Sequence, residues 1–453
     1  MRRIRNRQRT FQEIKVNWSK SKELSMIDRI LSENNSLCDL VAQDLNAGLK
    51  SKAGAKGKMS AERALRTAVV KCFYQLQYRQ LEDRIDDSER LRAFCRFGDE
   101  KIPRFNTLRD NISRISAGTW EKISEALIGV AKEKKIESGR KLRLDTTGVE
   151  TNIHHPTDAR LIWDCVRVCT RLVDGCFEWF GDGVGPFHNR TKSVKKRVFK
   201  IANTKSPAVR DKTYRELLSI GREVEAEVRQ VRARLDELQN LDFERRLLLD
   251  EFTKELDEVL AYFPRVLEQC RRRVIEDEKV PAGEKLVSIF EPHSDIIVKG
   301  QRDPLFGHKI CLTGGASNMI VGCLIERGNP ADSELFIPAL EQAAATLGAM
   351  PKAVCSDDGF ASEANAHAAL KMGVGDVAFG GKLKNELTQW VASAWVQKQL
   401  RRFRAGIEST ISAGKRAFGL DRCTWSGWEG FKSYVWLSIV TWNLQVLARH
   451  LLT

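Results

Sequence analysis

Short strand-like runs in two separate stretches, split by a long helical segment, constrain this chain more than any other feature. The run LRLDTTGVETNI, which follows Lys141, is β-branched and alternating and predicts a strand. After Pro281 come further strand patterns at His308–Thr313 and Asn318–Glu326, joined by the hairpin signal GGAS. Lys352–Asp357 and Asp376–Phe379 follow as buried short strands. Helical periodicity covers Ala331–Leu347, Ser362–Met372, Trp390–Phe418 and Gly427–Leu452, the last anchored by Trp428, Trp436 and Trp442. A lone strand leaves its backbone groups unpaired. The first run must therefore pair with strands that lie beyond the inserted segment.

With the insertion removed, the order is strand, strand, strand, helix, strand, helix, strand, helix. This is the order of an RNase H-like core with a mixed sheet, in which an antiparallel meander is extended by parallel strands. The fold class expected is thus an α/β RNase H-like catalytic core with an all-α N-terminal region and a long helical, coiled-coil-like insertion. The segments expected are 1–140 for the helical N-terminal DNA-binding region and 141–155 with 285–420 for the core. The insertion with its hairpin arm takes 156–284, and a C-terminal helix takes 421–453.

The N-terminal region shows apolar residues at helical spacing in Leu24–Leu31, Ala64–Leu76 and Trp120–Val130. Gly48–Ser60 reads as a flexible basic linker, and Pro103 as a loop entering a helix at Asn106 or Thr107. Arg2, Arg3, Arg5, Arg7 and Arg9 form either a solvated tail or a phosphate-binding arm. In the insertion, Arg190–Lys200 carries six basic residues and no acid. Val224, Val228, Val231, Leu235 and Leu238 then step by heptad spacing, as do Leu249, Phe252, Leu256, Val259, Phe263 and Val266. Two helices broken near Gln239–Phe243 are expected, as an antiparallel hairpin or coiled coil, with a kink or break at Pro264. Such an arm is either a structural extension or a dimerisation element.

Composition narrows the partner. The 453 residues carry a formal net charge of +15, which favours a polyanion. No apolar run approaches the roughly 18 residues of a membrane span, and no apolar stretch follows the basic N-terminus. Nucleic acid is therefore expected rather than membrane. The 11 cysteines are odd in number and mostly flanked by apolar residues, so they read as reduced, buried thiols. Cys165, Cys169 and Cys176 lie near His154 and His155 but lack a C-x2-C pair, and their spacing fits a helix face better than a zinc site.

The acids fall where this architecture would use them. Asp145 is on the first strand, Asp357 at the end of the fourth and Glu408 on the helix after the fifth. Each alone is an ordinary surface carboxylate. Three converging carboxylates repel unless a cation joins them, and two Mg2+ or Mn2+ ions about 3.5–4 Å apart suit in-line phosphoryl displacement. At about 100° per residue, Arg404, Glu408 and Lys415 share one helix face within roughly 40°. That face is either a salt-bridge ladder or a phosphate-binding surface beside the metals.

The segments LRLDTTGVETNIHHPTDARLIWDCVRV, FGHKICLTGGASNMIVGCLIERGNPADSE, CSDDGFAS and RFRAGIESTISAGKRAFGLDRC carry a resemblance, as does RLRAFCRFGDEKIPRFNTLRD. The chain resembles bacterial insertion-sequence DDE transposases of the ISNCY group over nearly its whole length. The resemblance implies cleavage at element ends and joining of the 3′ ends to target DNA. It implies Asp145, Asp357 and Glu408 as the catalytic and metal-binding triad, with Arg404 and Lys415 as the basic pair around the glutamate. Related proteins often carry Tyr where this chain has Arg401, and a second Gly where it has Asp358, which leaves Asp358 as a second candidate ligand.

DNA contacts are expected at Arg401, Arg404, Lys415, Lys299, Lys195 and Lys196, and Arg302 beside Lys299 fits the same role. Asn329 and Asp332 are expected to cap the helix after them, or to contact substrate. His154 and His155 are expected to pack locally or approach DNA. A dimer or larger assembly on DNA in the bacterial cytoplasm, associated with the nucleoid, follows from the same reading. The competing functions are a hydrolytic RNase H-like nuclease without strand transfer and a DNA-binding regulator without catalysis.

Overall fold

A computed structural model describes residues 16–48, 59–298, 303–380 and 390–453. The five N-terminal arginines, most of the Gly48–Ser60 linker, Lys299 and Arg302 lie outside those residues. Seven helices come first: α1 (Lys22–Glu33), α2 (Ser36–Asn46), α3 (Ala61–Phe73), α4 (Tyr78–Asp87), α5 (Glu89–Phe94), α6 (Phe105–Ile112) and α7 (Ala117–Glu133). Then follow β1 (Lys141–Glu150), α8 (Asp158–Phe180), α9 (Thr191–Asn203), α10 (Pro207–Asp236), α11 (Phe243–Cys270) and the short β2 (Asp295–Ile297). The rest is β3 (Leu305–Gly314), β4 (Ile320–Ile325), α12 (Asp332–Leu347), β5 (Ala353–Ser356), α13 (Glu363–Lys371), β6 (Asp376–Phe379), α14 (Ala394–Phe418) and α15 (Trp428–Leu452). The chain forms two compact units, residues 1–152 with 307–453 and residues 153–306.

The first unit holds the order β4-β3-β1-β5-β6 of a six-stranded sheet. β1 and β3 are antiparallel from Arg143↔Gly314 to Glu150↔Gly307, and β3 and β4 are antiparallel. β5 and β6 run parallel to β1. The first strand therefore does pair with strands from beyond the insertion. At its far end, Glu150 N–H donates to Asp421 O at 2.9 Å, and Cys423 N–H donates to Glu150 O at 2.8 Å. The residues before α15 thus occupy the edge that β5 has left.

The helices α1–α7 bury their apolar stripes in the same core as the sheet, with Ile27, Leu65, Trp120 and Ile123 all fully or nearly fully enclosed. α15 runs through that core. Its Asn443 is 0% exposed, accepts from Ile320 N–H at 2.8 Å and donates to Ile320 O at 2.8 Å. A side-chain amide here does what a neighbouring strand would do for the first residue of β4. Trp442 and Trp436 are buried on the same helix, and Trp442 Nε1 donates to Asn318 O at 2.9 Å.

The second unit contains the four helices α8–α11 around their own core. α10 and α11 are antiparallel: Gly221 lies against Leu267, and Arg232 reaches Asp257 at 2.8 Å. The heptad residues Val224, Val228, Val231, Leu235, Leu256, Val259, Phe263 and Val266 are buried. They are joined there by Leu161, Ile162, Cys165, Cys169, Leu172 and Cys176 of α8. The seams are thus closed by a third helix of the same chain, giving a bundle in place of a two-stranded coil. The expected break at Pro264 is corrected, because α11 continues through it to Cys270. Phe263 at 0% and Val266 at 1% exposure flank the proline, and their burial offsets the roughly 3 kcal/mol that an interior proline costs. All 11 cysteines are buried thiols.

Candidate active site

Strand register brings the first two acids together. In the parallel β1–β5 pair, Leu144 stands opposite Ser356. Asp145 and Asp357 are each the next residue along. Alternation places both on the sheet face that carries Arg143 and Cys355. α14 covers this face: Cys355 shares a buried cluster with Leu400, and Arg143 reaches the α14 backbone. Ser393 caps α14 by accepting from Val396 N–H at 3.2 Å, and Gly419 in the left-handed region ends it.

Glu408 lies on the exposed part of α14 and is tied to Asp357 through one cation. Arg404 Nη2 stands 3.0 Å from Glu408 Oε1, and Arg404 Nη1 stands 3.6 Å from Asp357 Oδ1. The guanidinium is largely covered, at 23% side-chain exposure, whereas Asp357 and Glu408 stay open at 55% and 58%. Asp145 is half-buried, and its Oδ1 accepts from Thr146 N–H at 2.7 Å. Among the described residues, no group of three or more His, Cys, Asp or Glu side chains lies close enough to hold a metal ion. Arg404 instead separates the two acids that flank it.

Asp358 is close at hand. A Cβ on Gly380, just after β6, would lie 3.2 Å from both Asp357 Oδ1 and Asp358 Oδ1. Lys415 is on the same α14 face and approaches Asp421 at 3.8 Å. Arg401 is exposed on that face, about 20° from Glu408 around the axis. Lys195 and Lys196 are exposed on α9, in the second unit.

Two sets of residues brace the acids, and of them only Asp332 figures in the sequence expectations, as a helix cap or substrate contact. The first is Arg143, at 4% exposure, two residues before Asp145. It donates to Phe403 O at 3.0 Å and to Asn318 Oδ1 at 2.5 Å, and its guanidinium lies 4.8 Å from the Phe403 ring centroid. Its Nε has no partner. Burial pushes its pKa down from the ordinary value. It links β1, which carries Asp145, to α14 just before Glu408. Gly406 makes room for it, since a Cβ there would collide with Arg143 Nη1. An arginine inside an otherwise apolar alternation was the available sequence signal.

The second set lies on the opposite face. Thr146 Oγ1 donates to Asp332 Oδ2 at 3.0 Å, and Lys309 Nζ donates to Asp332 Oδ1 at 2.9 Å. Asp332 in turn rests on the turn after Asp357, where a Cβ on Gly359 would lie 2.9 Å from its Oδ2. This corrects the capping expectation. The N-cap of α12 is Ala331, without a side-chain cap bond, and Asp332 instead braces the acid-bearing turn. Asn329 adopts a left-handed backbone (φ 50), and its buried Oδ1 has no partner. In the second unit, His154 lies 3.2 Å from Asp164, and His155 packs edge-on against Phe306.

Comparison with known proteins gives two matches. A family model described as a transposase DDE domain matches residues 299–444, a span that includes Asp357 and Glu408 but begins after Asp145. A second, described as a transposase domain (DUF772), matches residues 18–114, the span of α1–α6. No curated protein and no solved structure matches the chain. Among the described residues, no helix is long and apolar enough to cross a membrane. With one transposase domain over its N-terminal helices and a DDE domain over the strands and helices that carry two of the three acids, the chain belongs to the insertion-sequence DDE transposases.

Proposed function

We propose that this transposase cleaves the ends of its insertion sequence and transfers the 3′ ends to target DNA, using Asp145, Asp357 and Glu408 as the metal-binding catalytic triad. The observation that carries the reading is the β1–β5 register. It sets Asp145 and Asp357 side by side on the face that α14 covers, with Glu408 held to Asp357 by a single guanidinium. The strand order and directions support an RNase H-like core. The donor set fits hard divalent cations, because it is all carboxylate oxygen and the two acids beside Arg404 are open to solvent. When bound there, Mg2+ or Mn2+ would supply Lewis acidity to the scissile phosphate and an activated attacking oxygen.

The chain's own residues supply the rest. Arg401, Arg404 and Lys415 form a basic stripe along the Glu408 face, suited to holding the phosphates on either side of the cut. Arg404 then exchanges carboxylate contacts for phosphate contacts when DNA and cation arrive. Arg143 fixes the distance between β1 and α14, and Asp332 fixes the turn of Asp357. Lys299, Lys195 and Lys196 add further phosphate contacts. DNA is the partner, and joining two ends calls for at least two protomers on DNA, in the cytoplasm with the nucleoid.

The test is incubation of the protein with Mg2+, a labelled element end and a target plasmid. The label should move into the plasmid. Nicking without joining would identify a hydrolytic nuclease, and DNA binding with neither reaction would identify a regulator.

A further inference from the structure

α9 has two unlike faces. Val194 and Ile201 are buried on its inner side, and Val198 packs there too. At about 100° per residue, Lys192, Lys195, Lys196, Phe199 and Lys200 fall within an arc of roughly 140° on the other side, with Phe199 near its middle. All five are exposed, and Phe199 is 71% exposed.

The neighbouring charges are arranged unevenly. No acid occurs between Asn189 and Arg210 in the sequence. The arginines on the inner side are already paired: Arg197 with Glu216 at 3.0 Å, and Arg190 with Glu227 at 2.9 Å. The four outward lysines have no ion pair among the described residues. Solubility alone would be served by lysines without a phenylalanine among them. Packing does not need Phe199 either, since the apolar stripe of α9 is on the opposite side.

We propose that the outward face of α9 binds single-stranded DNA, with the lysines along the phosphates and Phe199 stacked on an unpaired base. This rests on the reading that the chain acts on DNA. Phenylalanine has no donor or acceptor, so in a groove it offers only apolar contact, such as to a thymine methyl. Stacking on the π face of a base gains more, and a stacked duplex conceals that face. Lysines around an aromatic platform are the composition that single-strand binding uses. From Lys192 to Lys200 the face is about 12 Å long at 1.5 Å per residue, enough to follow a few nucleotides. An anionic membrane is the weaker match to the same charges, because the apolar stripe that would enter lipid is already buried.

The experiment uses the full chain without divalent metal, so that DNA is bound but not cut. Fluorescence anisotropy would follow an oligothymidine and a blunt duplex of equal length over a range of salt. Phe199→Ala should weaken oligothymidine binding about ten-fold while changing duplex binding less than about two-fold, and Phe199→Trp should restore it. The pair Lys195→Gln with Lys196→Gln should make the oligothymidine salt slope shallower by roughly 1.4, about 0.7 for each lost contact. Equal oligothymidine affinity for wild type and Phe199→Ala would overturn the stacking role. An unchanged salt slope in the lysine variant would overturn the surface. Tighter binding to phosphatidylserine vesicles than to oligothymidine, lost in Phe199→Ala, would reassign the face to a membrane. Failure of the wild type to bind any DNA would instead overturn the reading beneath it.

Discussion

The sheet-bearing unit and the helical bundle α8–α11 bury very different cores. In the first, charged and amide groups are enclosed and tied to chain far away in sequence. Arg143 reaches Phe403 and Asn318, Lys309 reaches Asp332, and Asn443 reaches Ile320. Arg66, at 1% exposure, joins Asp28 and Glu62. In the bundle the core is hydrocarbon and thiol, and many of its ion pairs are local and partly wet, such as Arg215–Asp211 and Arg229–Glu225. Asp158, held by Gln269 and Arg273, is its nearest equivalent to the first kind. Hydrocarbon contacts tolerate small shifts, whereas a buried hydrogen bond demands one geometry. The first unit is therefore built to fix positions, and the bundle to present surface.

That contrast can be broken at four places. The largest effect is expected at the acids. Glu408→Gln, Asp357→Asn or Asp145→Asn should each lower strand cleavage by roughly three orders of magnitude or more, as loss of a cooperating catalytic group does, with DNA affinity nearly unchanged. Asp358→Asn should leave most of the activity if Asp357 is the ligand. Both are read by nicking of a labelled end alongside a binding isotherm.

Next comes Arg143→Met. It leaves the acceptors on Phe403 and Asn318 bare under α14. Cleavage should fall about 10- to 100-fold through misplaced Glu408, the range seen when residues supporting metal ligands are lost. Arg143→Lys should rescue little, since one ammonium cannot span both acceptors. A rate equal to wild type at saturating metal would remove Arg143 from the positioning role and leave it a packing residue.

A core change in the bundle should act differently. Leu235→Asp places a charge at a site of 0% exposure and should cost at least about 3 kcal/mol, seen as a lowered unfolding midpoint. Because Leu235 and Leu256 are enclosed by α8, a dimer lost in this variant would report unfolding rather than a broken interface. The oligomer question belongs instead to Phe243 and Leu247, exposed at 86% and 61% at the start of α11. The smallest effect is expected at Arg232→Ala, which removes the partly exposed link to Asp257 and should change stability by only about 0–1 kcal/mol.

Much of the first unit was legible because its signals are local. The alternation after Lys141 marks β1, the GGAS hairpin marks the β3–β4 turn, and the spacing Arg404, Glu408, Lys415 marks one face of α14. The part that was not legible depends on distant partners. Asp332 sits at a helix start and reads as a cap, yet Thr146 and Lys309 claim its side chain from two strands. Arg143 reads as a strand residue among others until α14 is placed over it. In the bundle, the heptads revealed two helices and their antiparallel turn. They could not show that α8 closes the seams, because a heptad states that a face is apolar and not which helix covers it. Pro264 misled for the same reason: its local cost is overridden by the packing of Phe263 and Val266.

Asp145, Asp357 and Glu408 are expected to share divalent cations when DNA is bound. The most direct measurement is titration of Mn2+ into the full chain bound to an uncleavable element end, with free Mn2+ followed by electron paramagnetic resonance. Two bound ions per active site are expected in the wild type, with loss of at least one in each of Asp145→Asn, Asp357→Asn and Glu408→Gln while DNA stays bound. Undiminished Mn2+ binding in all three variants would contradict that expectation.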